Sequence, residues 1–178
     1  MKSKHTQYLE FLAFHGMETR SAQRCLRADV CEYIEEITAQ TEVHNILEIG
    51  RCAGRSFGFF RFLWPKAYVV SIDIHHFEAA DRVAALYDNN YLFVDGNSDT
   101  LASMHDVFDI VLIDGDHSYA GCKKDWDNVQ SHIRKGSLVL FDDLGHGGGC
   151  GNVFHELTEF KKDVFSINNL PLFGVVHI

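Results

Sequence analysis

The chain has 178 residues, 46% hydrophobic and 23% charged, with a formal net charge of −9. That length fits one domain with a sizeable core, and the acidic balance argues against a duplex nucleic-acid binder, which needs clustered Lys and Arg. Five scattered cysteines (Cys25, Cys31, Cys52, Cys122, Cys150) with no C-x-x-C pair exclude a zinc knuckle or disulfide framework, and no run of about twenty apolar residues suits a membrane span. The expectation is a cytoplasmic protein with reduced thiols and no signal peptide.

In chain order, helical patterns cover about 4–15 and 20–40, and form a short N-terminal cap over residues 1–43 of the same domain. From residue 44 strands alternate with helices, the mark of a parallel sheet covered on both faces. Strands are expected at 45–49, 68–73, 91–94, 108–113 and 137–141, and helices at 55–63, 77–88, 119–134 and 151–161. In the 119–134 helix, Cys122, Trp126, Val129 and Ile133 form one apolar face. Segments 164–168 and 173–178 flank Asn169-Leu170-Pro171 and suggest a C-terminal antiparallel hairpin. The architecture expected is α/β: a Rossmann-like three-layer αβα sandwich around a mostly parallel seven-stranded sheet.

Residues 46–56, Ile-Leu-Glu-Ile-Gly-Arg-Cys-Ala-Gly-Arg-Ser, are the most informative stretch. They read as a buried strand, a glycine turn and the start of a helix whose free N–H groups suit an anionic ligand. Glu48 at the strand end can bind ribose hydroxyls or an ammonium group. Asp73 closes the second strand, where a carboxylate accepts from ribose hydroxyls. Cys52 reads as a small filler, and His75-His76 as surface residues near the rim of the ligand site. The spacing G-x-x-x-G is not the G-x-G-x-x-G of nicotinamide dinucleotide sites.

A second cluster runs from Phe108 to Tyr119 and delivers Asp114, Asp116 and His117 to the same sheet edge. The next strand ends in Asp142-Asp143. Converging carboxylates are costly unless compensated, and oxygen ligands select a hard divalent ion such as Mg2+. Asp114, Asp116 or His117 could take a proton; equally, Asp116 and His117 could open a helix capped by Ser118. Gly145–Asn152, with five glycines, could fold over a substrate or merely connect.

The run Glu48-x-Gly50-x-x-x-Gly54 with Asp73 resembles the first two motifs of class I S-adenosylmethionine (SAM)-dependent methyltransferases. The Ile113-Asp114-Gly115-Asp116-His117-Ser118-Tyr119 run with Asp142-Asp143 resembles methyltransferase family 24, the macrocin O-methyltransferase type. The resemblance implies that Glu48, Gly50, Arg51, Gly54, Ser56, Asp73, Ile74, Gly96, Asn97, Ser98 and Asp114 bind SAM. It implies Asp114, Asp142 and Asp143 as metal ligands, and a metal-assisted O-methylation of a small-molecule acceptor such as a sugar or polyol, with Asp114, Asp116 and His117 as catalytic residues. The alternatives are a non-catalytic SAM-binding protein and a cephalosporin hydroxylase-like metal-dependent oxidation. A homo-oligomer is possible; nucleic acid and membrane are not expected partners.

Overall fold

The computed structural model describes residues 2–17, 27–145, 149–168 and 170–178. Seven strands form one sheet: β1 (Asn45–Ile49), β2 (Tyr68–Asp73), β3 (Tyr91–Asp95), β4 (Ile110–Ile113), β5 (Leu138–Phe141), β6 (Lys161–Ile167) and β7 (Leu170–His177). Their order is β3-β2-β1-β4-β5-β7-β6; β1–β5 are parallel, whereas β7 pairs antiparallel with both β5 and β6. The described helices are α1 (Lys4–Phe14), α2 (Ala28–Ile37), α3 (Arg55–Leu63), α4 (Glu78–Ala84), α5 (Tyr119–Val129) and α6 (Gly149–Glu156), with 3₁₀ turns at Ser98–Ser103 and Gln130–His132. None is long and apolar enough to cross a membrane.

Because side chains alternate along a strand, each buried strand feeds two cores. Ile46, Val69, Ile110, Leu112, Leu138 and Leu140 face Tyr8, Leu12, Val30, Ile34, Phe57, Phe59, Phe60 and Val83 of α1–α4. Leu47, Ile49, Val70, Ile72, Val111, Ile113, Val139 and Phe141 face Cys122, Trp126, Val129, Val153 and Phe154 of α5 and α6. The expected three layers are therefore formed, and the aromatic run of α3 is core.

Several boundaries differ from expectation. The second helix spans 28–37 among the described residues; the part expected at 20–26, with Cys25, lies outside them. Helix α5 stops at Val129 and tightens into a 3₁₀ turn, and α4 ends at Ala84. The hairpin strands are longer than the sequence suggests, because β7 includes Leu170 and Pro171; a bulge between Phe165 and Ser166 accommodates the proline opposite Ser166. Of the glycine-rich Gly145–Asn152 segment, Gly149–Asn152 is not loop but the first turn of α6, and His146–Gly148 lie outside the described residues.

At the amino-terminal edge of the sheet, Asp109 ties three elements together. Its Oδ2 accepts from the His44 and Asn45 amides at 2.8 and 3.0 Å, and its Oδ1 from Arg134 Nη2 at 2.7 Å. Burial pushes this carboxyl's pKa up, but those donors outweigh it and hold the group below the usual range. Asp109→Asn loses one acceptor and turns an amide against a donor, and should cost about 2 kcal/mol. Denaturant unfolding at pH 7 checks this. The gap should narrow as pH falls through the carboxylate range, where the wild type loses the same interaction.

Candidate active site

The carboxyl ends of β1–β5 open into a cleft of about 670 Å³ lined by Ile49, Gly50, Cys52, Ile72, Asp73, Ile74, Gly96, Asn97, Ser98, Asp114–His117, Asp125, Asp142 and Asp143. Its floor is the glycine turn. Gly50, at φ +100°, has its Cα against the Asp114 backbone, so that a Cβ there would overlap the Asp114 carbonyl oxygen. Gly54, at φ +73°, lies against Ala80 of α4 and precedes α3. Both positions combine a left-handed backbone with a close approach, which only glycine meets without strain.

Asp73 lies at the rim of this turn. Its Oδ2 accepts from the Cys52 amide and its Oδ1 from the His75 amide, both at 2.8 Å. The carboxylate is held fast by two backbone donors, with lone pairs left for ligand hydroxyls. Cys52 is exposed, at φ +44°, and lines the cleft. The filler role expected for it is therefore incorrect: its backbone is what orients Asp73. His75 and His76 are exposed as expected, and His76 pairs with Asp81 at 2.9 Å.

Four residues expected to touch the cofactor sit behind the cleft wall instead. Glu48 shares a strand face with Ile46, so it points toward α3 and away from the cleft. It is 0% exposed and accepts hydroxyl hydrogens from both Ser56 and Ser71. Burial is the main cause that lifts its pKa to about 7; the serines and Arg51 oppose the rise, and Asp73 adds to it. Arg51 is 1% exposed. Its guanidinium lies 4.3 Å over Phe93, donates to the Ser71 carbonyl and pairs with Asp95, each at 2.8 Å. It staples the ends of β1, β2 and β3. Gly54 shapes the turn, and Ser56 is committed to Glu48, although it also borders a smaller cavity of about 90 Å³ with Arg27, Val30, Phe60 and Phe173.

The acidic half lies across the turn. Asp114 carries a carboxyl pushed well above the usual range, first by burial and then by the charges of Asp142, Glu48 and Asp143. Asp116 Oδ1 accepts from the Ser118 amide at 2.9 Å, which holds its carboxyl below the usual range. Ser118 in turn caps α5 through the Gly121 amide at 3.1 Å. Asp116 thus serves the helix start while lining the cleft. His117 Nδ1 stands 3.6 Å from Asp143 Oδ2. The ligand atoms of Asp114, His117 and Asp143 lie within 4.8 Å of one another. This differs from the expected trio, because His117 joins the group in place of Asp142. Asp142 borders both cavities, and its Oδ1 accepts from the Asp143 amide at 2.9 Å.

Asp125 also lines the cleft and was not among the expected residues. Its signal was present: it falls between Cys122 and Trp126 on the inward arc of α5, where a carboxylate is out of place.

A seven-stranded sheet of this order, with the glycine turn and Asp73 at its carboxyl edge, defines a Rossmann-like class I SAM-dependent methyltransferase. A family described as a methyltransferase domain (methyltransferase family 24) matches residues 47–144, and the chain belongs to that family. Among solved structures it is similar to a candidate caffeoyl-CoA O-methyltransferase from Staphylococcus aureus, at 17% identity and TM-score 0.74 over 99% of this chain and 100% of that one. It is similar also to the O-methyltransferase TomG from Streptomyces achromogenes in complex with SAM, at 17% identity and TM-score 0.69 over 100% and 90% of the two chains. A third is the Bacillus cereus O-methyltransferase in complex with SAH, at 15% identity and TM-score 0.68 over 100% and 91%. At these identities the likeness is one of fold. No curated protein matches the sequence.

Glu48 generates a stability prediction. Its carboxyl titrates near 4.5 when unfolded and about 7 when folded, so the folded state holds the proton more tightly. Stability from this group is full below pH 4.5 and is lost as pH rises toward 7. Glu48→Gln should therefore stabilise the protein by about 2 kcal/mol at pH 8 and by little at pH 5. Thermal unfolding of both proteins across that range measures it; a difference independent of pH would refute the assignment.

Proposed function

We propose that the chain transfers the methyl group of SAM to a hydroxyl oxygen of a small molecule at the Asp114, His117 and Asp143 cluster, with a divalent cation held there. The observation that carries this reading is the convergence of those three side chains beside the donor cleft. The donor set fits such an ion: two carboxylates and an imidazole suit Mn2+ better than Mg2+, which prefers oxygen donors alone, and a positive charge would offset the burial and carboxylate crowding that raise the Asp114 pKa. Asp142 stands beside them and orients Asp143 through its amide. A bound ion of this kind lowers the pKa of an acceptor hydroxyl and orients it.

The chain's own residues supply the alignment that an in-line displacement requires. Asp73 takes the ribose hydroxyls, Ile74 offers a flat apolar surface at 68% exposure, and Gly50 lets the ligand pass close over the turn. The smaller cavity sets Arg27 beside Asp114 and Asp142 and against an apolar wall, which suits the donor's amino-acid arm. The acceptor then approaches from the open side, over His117 and Asp143. With one histidine in the cluster rather than two, the donor set does not favour the alternative of iron-dependent oxidation.

Titration of Mn2+ followed by electron paramagnetic resonance tests the cation, and calorimetry with S-adenosylhomocysteine tests the donor. Asp143→Ala should weaken Mn2+ at least about tenfold while leaving the nucleoside's affinity nearly unchanged. Unaltered Mn2+ binding rejects the cation site. In a panel of alcohols, phenols and amines, methylation of amines alone would reject the oxygen acceptor.

A further inference from the structure

Two buried thiols meet behind the acidic cluster. Cys122, one turn into α5, and Cys150, in the first turn of α6, are both free, and both lie in the core between those helices and the sheet. Cys122 donates its S–H to the Cys150 sulfur; that bond, and burial after it, hold the Cys122 thiol above its usual range. The two helices are tied again where Tyr119, at the head of α5, donates to Glu156, at the tail of α6, at 2.8 Å. Neither helix has slack. A Cβ on Gly149 would overlap the His117 carbonyl oxygen, and one on Gly151 the Leu144 carbonyl oxygen, so α6 already rests on both backbones. The Cys122 amide bonds the Ser118 carbonyl at 3.0 Å. Each thiol is thus joined through rigid backbone to a member of the cluster: Ser118 follows His117, and Leu144 follows Asp143.

Two thiols in contact are the starting arrangement for a disulfide. We propose that Cys122 and Cys150 are an oxidation site, which hydrogen peroxide closes into a disulfide that disturbs the acidic cluster. The bond forms whatever the cluster holds; only its effect on a cation rests on the reading above. The Cys150 sulfur, as its thiolate, displaces hydroxide from the peroxide and becomes a sulfenic acid, and the hydroxide takes up the proton that Cys150 released. The Cys122 sulfur then attacks the sulfenic sulfur. The S–S bond forms, the S–O bond breaks, and the departing hydroxide leaves with the Cys122 proton as water. Two thiols and one peroxide give one disulfide and two waters, with two electrons passing from sulfur to oxygen. A disulfide is about 2.05 Å long, shorter than any non-bonded contact between two sulfurs, so α5 and α6 must draw together. The glycine contacts leave α6 no room to yield, and the movement passes to His117 and, through Leu144, to Asp143. Burial keeps the reaction slow, because the peroxide reaches the sulfurs only when the first turn of α6 lifts from the sheet.

Peptide mapping by mass spectrometry after the whole protein is treated with hydrogen peroxide tests this, with Mn2+ titrated before and after. The wild type should yield a peptide pair linked through Cys122 and Cys150. Its Mn2+ affinity should fall by at least about tenfold and return on reduction with dithiothreitol. Cys150→Ala, shown to be folded by circular dichroism, keeps the exposed Cys52 and should hold its Mn2+ affinity through the same treatment. A peroxide dose that oxidises Cys52 but leaves Cys122 and Cys150 unlinked overturns the proposal without recourse to any variant. So does a linked protein whose Mn2+ affinity matches that of the reduced one, or a folded Cys150→Ala protein that loses Mn2+ as the wild type does. A reduced wild type that binds no Mn2+ overturns the cation reading alone. The linked peptide then decides this inference, its presence sustaining the oxidation site and its absence overturning it.

Discussion

The contact between Gly50 and the backbone of Asp114 is the constraint on which the site depends. β1 and β4 are neighbours in the sheet, and the loops that leave them would diverge if a side chain stood between them. With none, the Asp114 amide bonds the Ile49 carbonyl and the Gly50 amide bonds the Ile72 carbonyl, at 2.8 and 2.9 Å, so three strand ends are locked at one point. The same device recurs at Gly149, where a Cβ would overlap the His117 carbonyl oxygen and hold α6 away from the acids. Backbone-to-backbone contacts thus set the distances, and Asp73, Asp114 and Asp143 are left to line the cleft.

The cleft is electrostatically divided. On the Asp73 side, the buried Arg51 guanidinium binds the Ser71 carbonyl and pairs with the Asp95 carboxylate, so that β1–β3 end beside a positive charge. On the other side Asp114, Asp142 and Asp143 crowd together and push the Asp114 carboxyl toward its protonated form. The second half thus concentrates negative charge beside a half where a guanidinium offsets it.

Much of the fold was legible in the sequence because five strands are buried on both faces and read as unbroken apolar runs. The glycine turn, Asp73 and the acid pair were legible for the same reason, since they punctuate those runs. Glu48 was misjudged through parity. It shares a face with Ile46, and that alternation, not its nearness to the turn, decides that it meets Ser56 and Ser71. Arg51 was opaque because it acts through a partner far away in sequence, Asp95, whereas Asp125 showed only as a carboxylate on the inward arc of α5, its partner Ser98 being distant in sequence. Pro171 marked a turn by local preference, but pairing with β6 beyond a bulge carried the strand past it. The grouping of His117 with Asp143 rests on the close packing of α6 against the β4 loop, which no local pattern reports.

Asp143 holds its carboxylate on a left-handed backbone, at φ +53°, a conformation that glycine and asparagine adopt more readily than aspartate. Local conformational preference therefore pulls against the acid at this position. A search for heat-resistant forms of the protein would drift toward Gly or Asn here and so remove one of the carboxylates that line the cleft. At this residue the durability of the chain and the acidity of its cleft are opposed.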